Sequence, residues 1–131
     1  MAVDPSRIAG IPLFADLSED QRAAVAAKLE ERAAAVGDHL STEGGPGYFF
    51  FVIETGSASV TRDGETIADF GPGDYFGEAA IFKTRRRTAT VTTTTPTTLF
   101  AMFGADFAKL VADIPALHTQ IDEALAARLP E

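Results

Sequence analysis

The sequence predicts a mainly β fold, a double-stranded β-helix (jelly roll) with an N-terminal helix and two C-terminal helices. Three observations predict it. Short apolar stretches of strand length follow one another from Ala33 to Phe103, separated by glycine, proline and Asp-Gly turns. Apolar residues at helical spacing are confined to the two ends of the chain. Finally, 131 residues, 46% of them apolar, fit one domain with its own core. The expected organisation is a single domain over 1–131: an N-terminal helical part at 1–32, a β-roll at 33–103 and C-terminal helices at 104–131.

Pro5, Gly10 and Pro12 break the first stretch into turns and brief helical pieces. Ser18 then caps a helix, with Gln21 in capping-box register and Val25 and Leu29 on its apolar face; the helix is expected to run to about Glu31. Ala33 to Val36 leads to a Gly37-Asp38 turn and a short strand from His39 to Thr42. The run Gly44-Gly45-Pro46-Gly47 is a loop. Tyr48 to Ile53 is continuously apolar and aromatic, as in a strand buried on both faces. Ala58 and Val60 alternate with Ser57, Ser59 and Thr61, turn at Asp63-Gly64 and pair back through Ile67, Ala68 and Phe70, a hairpin pattern. Two more strands, Thr88 to Thr95 and Thr97 to Phe103, break at Pro96. Their threonines suit strands with one face in water, because Thr is β-branched. Phe107, Leu110 and Val111 mark a helix that ends before Pro115, and Ile114, Leu117, Ile121 and Leu125 form the stripe of a second.

Composition excludes several functions. Without cysteine the chain has no disulfides and no thiolate chemistry. A formal net charge of -8 speaks against nucleic acid as a partner. No apolar run approaches membrane-spanning length and no signal-peptide pattern opens the chain, so no membrane partner and a cytoplasmic location are expected. His39 and His118 stand far apart, which leaves no metal cluster. No nucleophile–base pair is evident, so an enzyme is not expected. Yet Lys83, Arg85, Arg86 and Arg87 place four of the 11 basic residues within five positions. Charge alone favours a solvated loop there, although a concentrated basic spot on an acidic protein also suits a small anion.

The segment from Phe76 to Val91, FGEAAIFKTRRRTATV, decides between these. Gly73 and Gly77 allow sharp turns after a strand. Glu78 to Phe82 can form a short helix whose free amides, near Ala79 and Ala80, suit an anionic oxygen. Alanine there keeps the approach open. Arg87 can reach back over that helix start, and its guanidinium fork matches two phosphate oxygens. Glu78 would repel a phosphate, so it must serve a hydroxyl, and a ribose 2′-OH is the obvious donor.

Phe76-Gly77-Glu78, Ala80 and Arg87-Thr88-Ala89-Thr90 together resemble the phosphate-binding cassette of cyclic nucleotide-binding domains, the module of catabolite activators and protein kinase regulatory subunits. Gly37-Asp38, Gly44, Gly56 and Gly73-Asp74 fall where that family places glycines. The resemblance implies that Arg87 binds the cyclic phosphate and Glu78 the ribose 2′-OH. It implies backbone contacts from Gly77 and Ala80, and Thr88 near phosphate and base. Val60 and Phe70 would line the base pocket, which is compatible with ordinary core packing. The ligand implied is cAMP ahead of cGMP, with no cofactor; a hydroxyl at Thr88 is also compatible with a guanine 2-amino group. Ligand binding would move the C-terminal helices, with Leu117, His118, Ile121 or Leu125 covering the base, and the signal would pass to an effector domain or a separate partner protein. Two departures stand out. The loop before Arg87 is cationic instead of glycine- and proline-rich, making Arg86 a rival and Arg85 a solvent-facing residue, and the stretch from Gly45 to Phe50 is aromatic where the family is polar. The alternative is a degenerate jelly roll that acts as an interaction module and binds no nucleotide.

Overall fold

Two four-stranded antiparallel sheets form the body of the molecule. The computed structural model describes residues 3–45, 47–84, 86, 87 and 89–127. A 3-10 turn at Pro5–Arg7 leads to α1 (Pro12–Ala15) and α2 (Glu19–Ala26). Eight strands follow: β1 (Glu30–Ala34), β2 (His39–Ser41), β3 (Phe49–Thr55), β4 (Ala58–Arg62), β5 (Glu65–Phe70), β6 (Tyr75–Phe76), β7 (Thr90–Thr93) and β8 (Thr97–Phe103). A π-helical turn at Ala80–Thr84 separates β6 from β7, and α3 (Gly104–Asp113) and α4 (Pro115–Ala127) close the chain. The sheets run β1-β8-β3-β6 and β2-β7-β4-β5, the interleaved order of a jelly roll.

The aromatic run of β3 explains the layering. Successive side chains of a strand point to opposite faces. Phe50 and Val52 therefore join Phe100 and Met102 under the helices, with Phe14, Val25, Phe107, Leu117 and Ile121. Phe51 and Ile53 point the other way, between the sheets, and meet Val60, Phe76, Val91 and Leu99. A strand with a core on each side reads as one apolar run because neither face is solvated. Phe50 stacks on Phe107 at 3.8 Å and 7°, which seats α3 on the roll.

The expected hairpin turns at Asp63 (φ 52°) and Gly64 (φ 82°), two consecutive left-handed residues that match the twist of paired strands. The capping box of α2 is formed, with Gln21 N donating to Ser18 Oγ and Ser18 N donating to Gln21 Oε1, each at 3.1 Å. The helix itself is shorter than its composition predicts. It stops at Ala26, and Glu30 to Ala34 pair with β8 instead, Glu30 opposite Ala101 and Ala34 opposite Thr97. Glu, Arg and Ala are strong helix formers, but the preference is small per residue and the ladder of strand hydrogen bonds to β8 outweighs it. Arg7 secures this strand from outside, pairing with Glu31 and Glu54.

The threonine-rich strands depart from a simple wet face. Thr93 is buried, its Oγ1 donating to the Ala35 carbonyl and accepting from Asp38 N at 3.0 Å, so it closes the Gly37-Asp38 turn. Thr97 is buried as well. The stripe on α4 is packing: Ile114, Leu117 and Ile121 sit in the helix-side core, with Leu125 against its edge. Among the described residues no helix is long and apolar enough to cross a membrane.

Candidate ligand-binding site

The site begins where β5 ends. Gly71 N donates to Asp74 Oδ2 at 2.7 Å, and the turn docks on β3 through Gly73 N to the Ile53 carbonyl at 2.8 Å. After β6 comes Gly77 at φ +106°, a conformation that L side chains rarely adopt. A Cβ there would lie 2.6 Å from the Phe49 carbonyl oxygen and 2.8 Å from Arg87 Nη1. Backbone, strand and guanidinium meet at this one residue.

From Gly77 the chain turns helical at Glu78 and Ala79 and continues as the π-helical turn, with Ile81 N donating to the Gly77 carbonyl at 3.2 Å. The short helix expected at Glu78 to Phe82 is thus present with a wider bore than an α-turn. Glu78 is 2% exposed and Arg87 4%, so both charged groups are buried beside Gly77. Arg87 is held throughout its length. Its amide donates to the Gly45 carbonyl and its carbonyl accepts from Gly44 N, both at 2.8 Å. Its Nη2 donates to the Phe49 carbonyl at 2.7 Å, and its guanidinium lies 5.8 Å from the Phe51 ring centroid. Arg86, the rival, is exposed and donates to the Gly44 carbonyl at 3.3 Å. Thr88 and Arg85 lie outside the described residues.

The structure therefore gathers Gly77, Glu78, Ala79, Ala80 and Arg87 into one neighbourhood. Val60 is fully buried between the sheets, and Phe70 stacks on Phe76 at 5.5 Å against the same apolar cluster, which Phe51 joins to Arg87. Ala80 does not stand open as expected. Gly47 lies over it, so closely that a Cβ on Gly47 would fall 2.3 Å from that of Ala80. Of the residues expected on α4 as a base cover, Leu117 and Ile121 sit in the core and Leu125 at its edge, His118 lies 3.1 Å from Asp122, and His118, Ile121 and Leu125 line a hollow together with Phe82.

Sequence reasoning missed the loop before β3. Gly44, Gly45 and the Phe49 carbonyl all bond to Arg87, and a hollow of about 210 Å³ opens there, lined by His39, Ser41, Tyr48, Phe49, Phe51 and Arg87 among others. The glycine run signalled only the turn, in which Gly44 stands at φ +80°; the bonds to Arg87 are ordinary main-chain bonds between distant segments and leave no mark in the sequence. No cluster of three potential metal ligands occurs among the described residues.

A family model described as "Cyclic nucleotide-binding domain" matches residues 31–113. The chain is 33% identical over 101 residues to a cAMP-dependent protein kinase regulatory subunit of Yarrowia lipolytica, covering 77% of this chain and 27% of that protein. To the corresponding subunit of Blastocladiella emersonii it is 32% identical over 123 residues, covering 90% and 30%. It thus spans less than a third of these relatives. Among solved structures, cAMP-bound PfPKA-R superposes with a TM-score of 0.81 at 25% identity, covering 91% of this chain and 43% of that one. The N-terminal domain of a transcriptional regulator from Streptomyces coelicolor reaches 0.72 at 34% identity, covering 94% and 90%. With the matched segment containing the whole of Gly77 to Arg87, the chain belongs to the cyclic nucleotide-binding domain family.

Proposed function

We propose that this chain is a non-catalytic sensor that binds a 3′,5′-cyclic nucleotide at the Glu78–Arg87 site, cAMP ahead of cGMP, and passes the signal to an effector domain or a separate protein. The observation that carries this reading is the burial of Glu78 and Arg87 next to Gly77, with Arg87 Nη1 2.8 Å from where a Cβ on Gly77 would stand. A cyclic phosphate offers two exocyclic oxygens to the guanidinium, and the ribose 2′-OH offers a donor to the carboxylate. In this reading the amides of Gly77, Ala79 and Ala80 serve the phosphate at the helical turn, and Val60 and Phe70 form the apolar side.

A route to the C-terminal helices is supported by two contacts. Ile81 Cγ1 lies 3.0 Å from where a Cβ on Gly104 would stand, and the rings of Phe82 and Phe107 are 5.9 Å apart. A ligand that shifts the π-helical turn would press on α3 at both points. One observation favours the alternative of an interaction module without ligand: Arg87 Nη2 already donates to the Phe49 carbonyl.

Calorimetry separates the two. The chain is expected to bind cAMP, with Arg87→Ala weakening it about ten- to a hundredfold, since a charge-assisted hydrogen bond contributes about 1.5–3 kcal/mol. Absence of heat and of thermal stabilisation with both cAMP and cGMP would reject the sensor reading.

A further inference from the structure

Tyr48 and Phe103 are left in the open, 69% and 60% exposed, and with Phe49, Gly104, Ala105 and Asp106 they line one hollow of about 630 Å³. Cavities of about 300–1,000 Å³ hold drug-sized molecules, so this one takes a whole aromatic ring. A contiguous apolar patch of this kind marks an interaction surface, where a single exposed ring would not. The patch is firmly held. The Tyr48 carbonyl accepts from Gly104 N at 2.7 Å, and the Phe49 ring stacks on Phe103 at 4.9 Å. It also carries charge of both signs. The Arg32 guanidinium lies 4.5 Å from the Phe49 centroid, and its pairing with Glu30 is loose, at 3.7 Å. Asp106, in the first turn of α3, has no ion-pair partner among the described residues.

We infer that this face docks a second copy of the chain, with Tyr48 of each copy entering the hollow beside Phe103 of the other. A two-fold interface sets one patch against itself, so the patch must carry both halves of every contact. This one does. An exposed ring adjoins a hollow that fits it, and a loosely held cation accompanies an unpaired anion, so that each Arg32 faces the other copy's Asp106. A uniformly basic or acidic partner would leave one of those two charges opposed. Leu117 and Ile121 of α4 are spent in the chain's own core and are not available to a second copy. Two exposed rings per copy make a small interface, in the transient class that buries less than about 1,200 Å² in all. The net charge of -8 repels two copies at long range, and salt at about 0.15 M screens that repulsion beyond about 8 Å while sparing direct contacts. The inference makes no use of the ligand site.

Sedimentation equilibrium of the nucleotide-free chain, at about 0.15 M salt and rising protein concentration, tests it. The chain is expected to pass reversibly from monomer to dimer. Tyr48→Ser removes the ring and keeps the main-chain bond to Gly104, and it should weaken the dimer about tenfold or more. Arg32→Glu and Asp106→Arg should each weaken the dimer alone, because like charges then face each other. An equal mixture of those two variants should recover it, because both contacts again join opposite charges. A merely structural role for either residue would not produce recovery on mixing. A chain that stays monomeric overturns the inference, as does a dimer untouched by Tyr48→Ser, which would place the contact elsewhere. Charge variants that leave the dimer unchanged, or that fail to recover on mixing, overturn the pairing of Arg32 with Asp106 and with it the two-fold docking.

Discussion

Arg87 donates from Nη2 to the main-chain carbonyl of Phe49 at 2.7 Å, so the buried guanidinium is aimed by the strand that forms the centre of the first sheet. The bond holds the fork in one plane. It also makes the choice of cation matter.

Arg87→Lys keeps the charge and loses the fork. An ammonium on a flexible stem cannot serve the Phe49 carbonyl and two phosphate oxygens in one geometry. Binding of cAMP is expected to fall by at least about tenfold, half or more of the free-energy loss expected for Arg87→Ala. Calorimetry on the two variants checks this, and a lysine variant with unmodified affinity would show that charge alone suffices.

Gly47→Ala places a methyl group 2.3 Å from the Ala80 Cβ. Overpacking of this kind costs about 1–3 kcal/mol. Ala80→Gly removes the obstructing atom, so the double variant should recover most of the loss in urea unfolding. Additive effects would mean that the two residues do not press on each other.

Thr93→Val keeps the β-branched shape and deletes a hydroxyl that serves both the Ala35 carbonyl and the Asp38 amide. Leaving buried polar groups unsatisfied costs about 1–3 kcal/mol. Thr92→Val, on the half-buried face of the same strand, is expected to be milder. Equal midpoints for the two would refute the role of Thr93 in closing the turn.

Asp4 caps the first turn, and the Ser6 amide at 2.9 Å holds its carboxyl below the usual carboxylate range. A depressed folded-state pKa stabilises above the unfolded-chain value, near about 4, and that contribution is lost as pH falls through the lower folded value. Asp4→Asn should therefore flatten the acid limb of the stability curve below about pH 4. Identical slopes for the two proteins would show that Asp4 does not contribute.

Much of the fold was legible because its signals are local. Asp63-Gly64 needs left-handed backbone whatever surrounds it, Ser18 and Gln21 are neighbours on one turn, and Pro115 constrains the residue before it. The end of α2 was not legible, because Glu30 becomes a strand through its pairing with Ala101, a residue far along the chain. Likewise Thr93 reads as a surface threonine until the Gly37-Asp38 turn folds over it.

The sequence by itself determined the order of elements and the identity of the family, since turns, caps and the spacing from Phe76 to Thr90 are properties of contiguous residues. Only the tertiary structure decided how Arg87 is aimed, which loop covers Ala80, and that Tyr48 stands exposed beside the guanidinium. Those are contacts between segments more than thirty residues apart, and no local preference specifies them; close packing of the two sheets does.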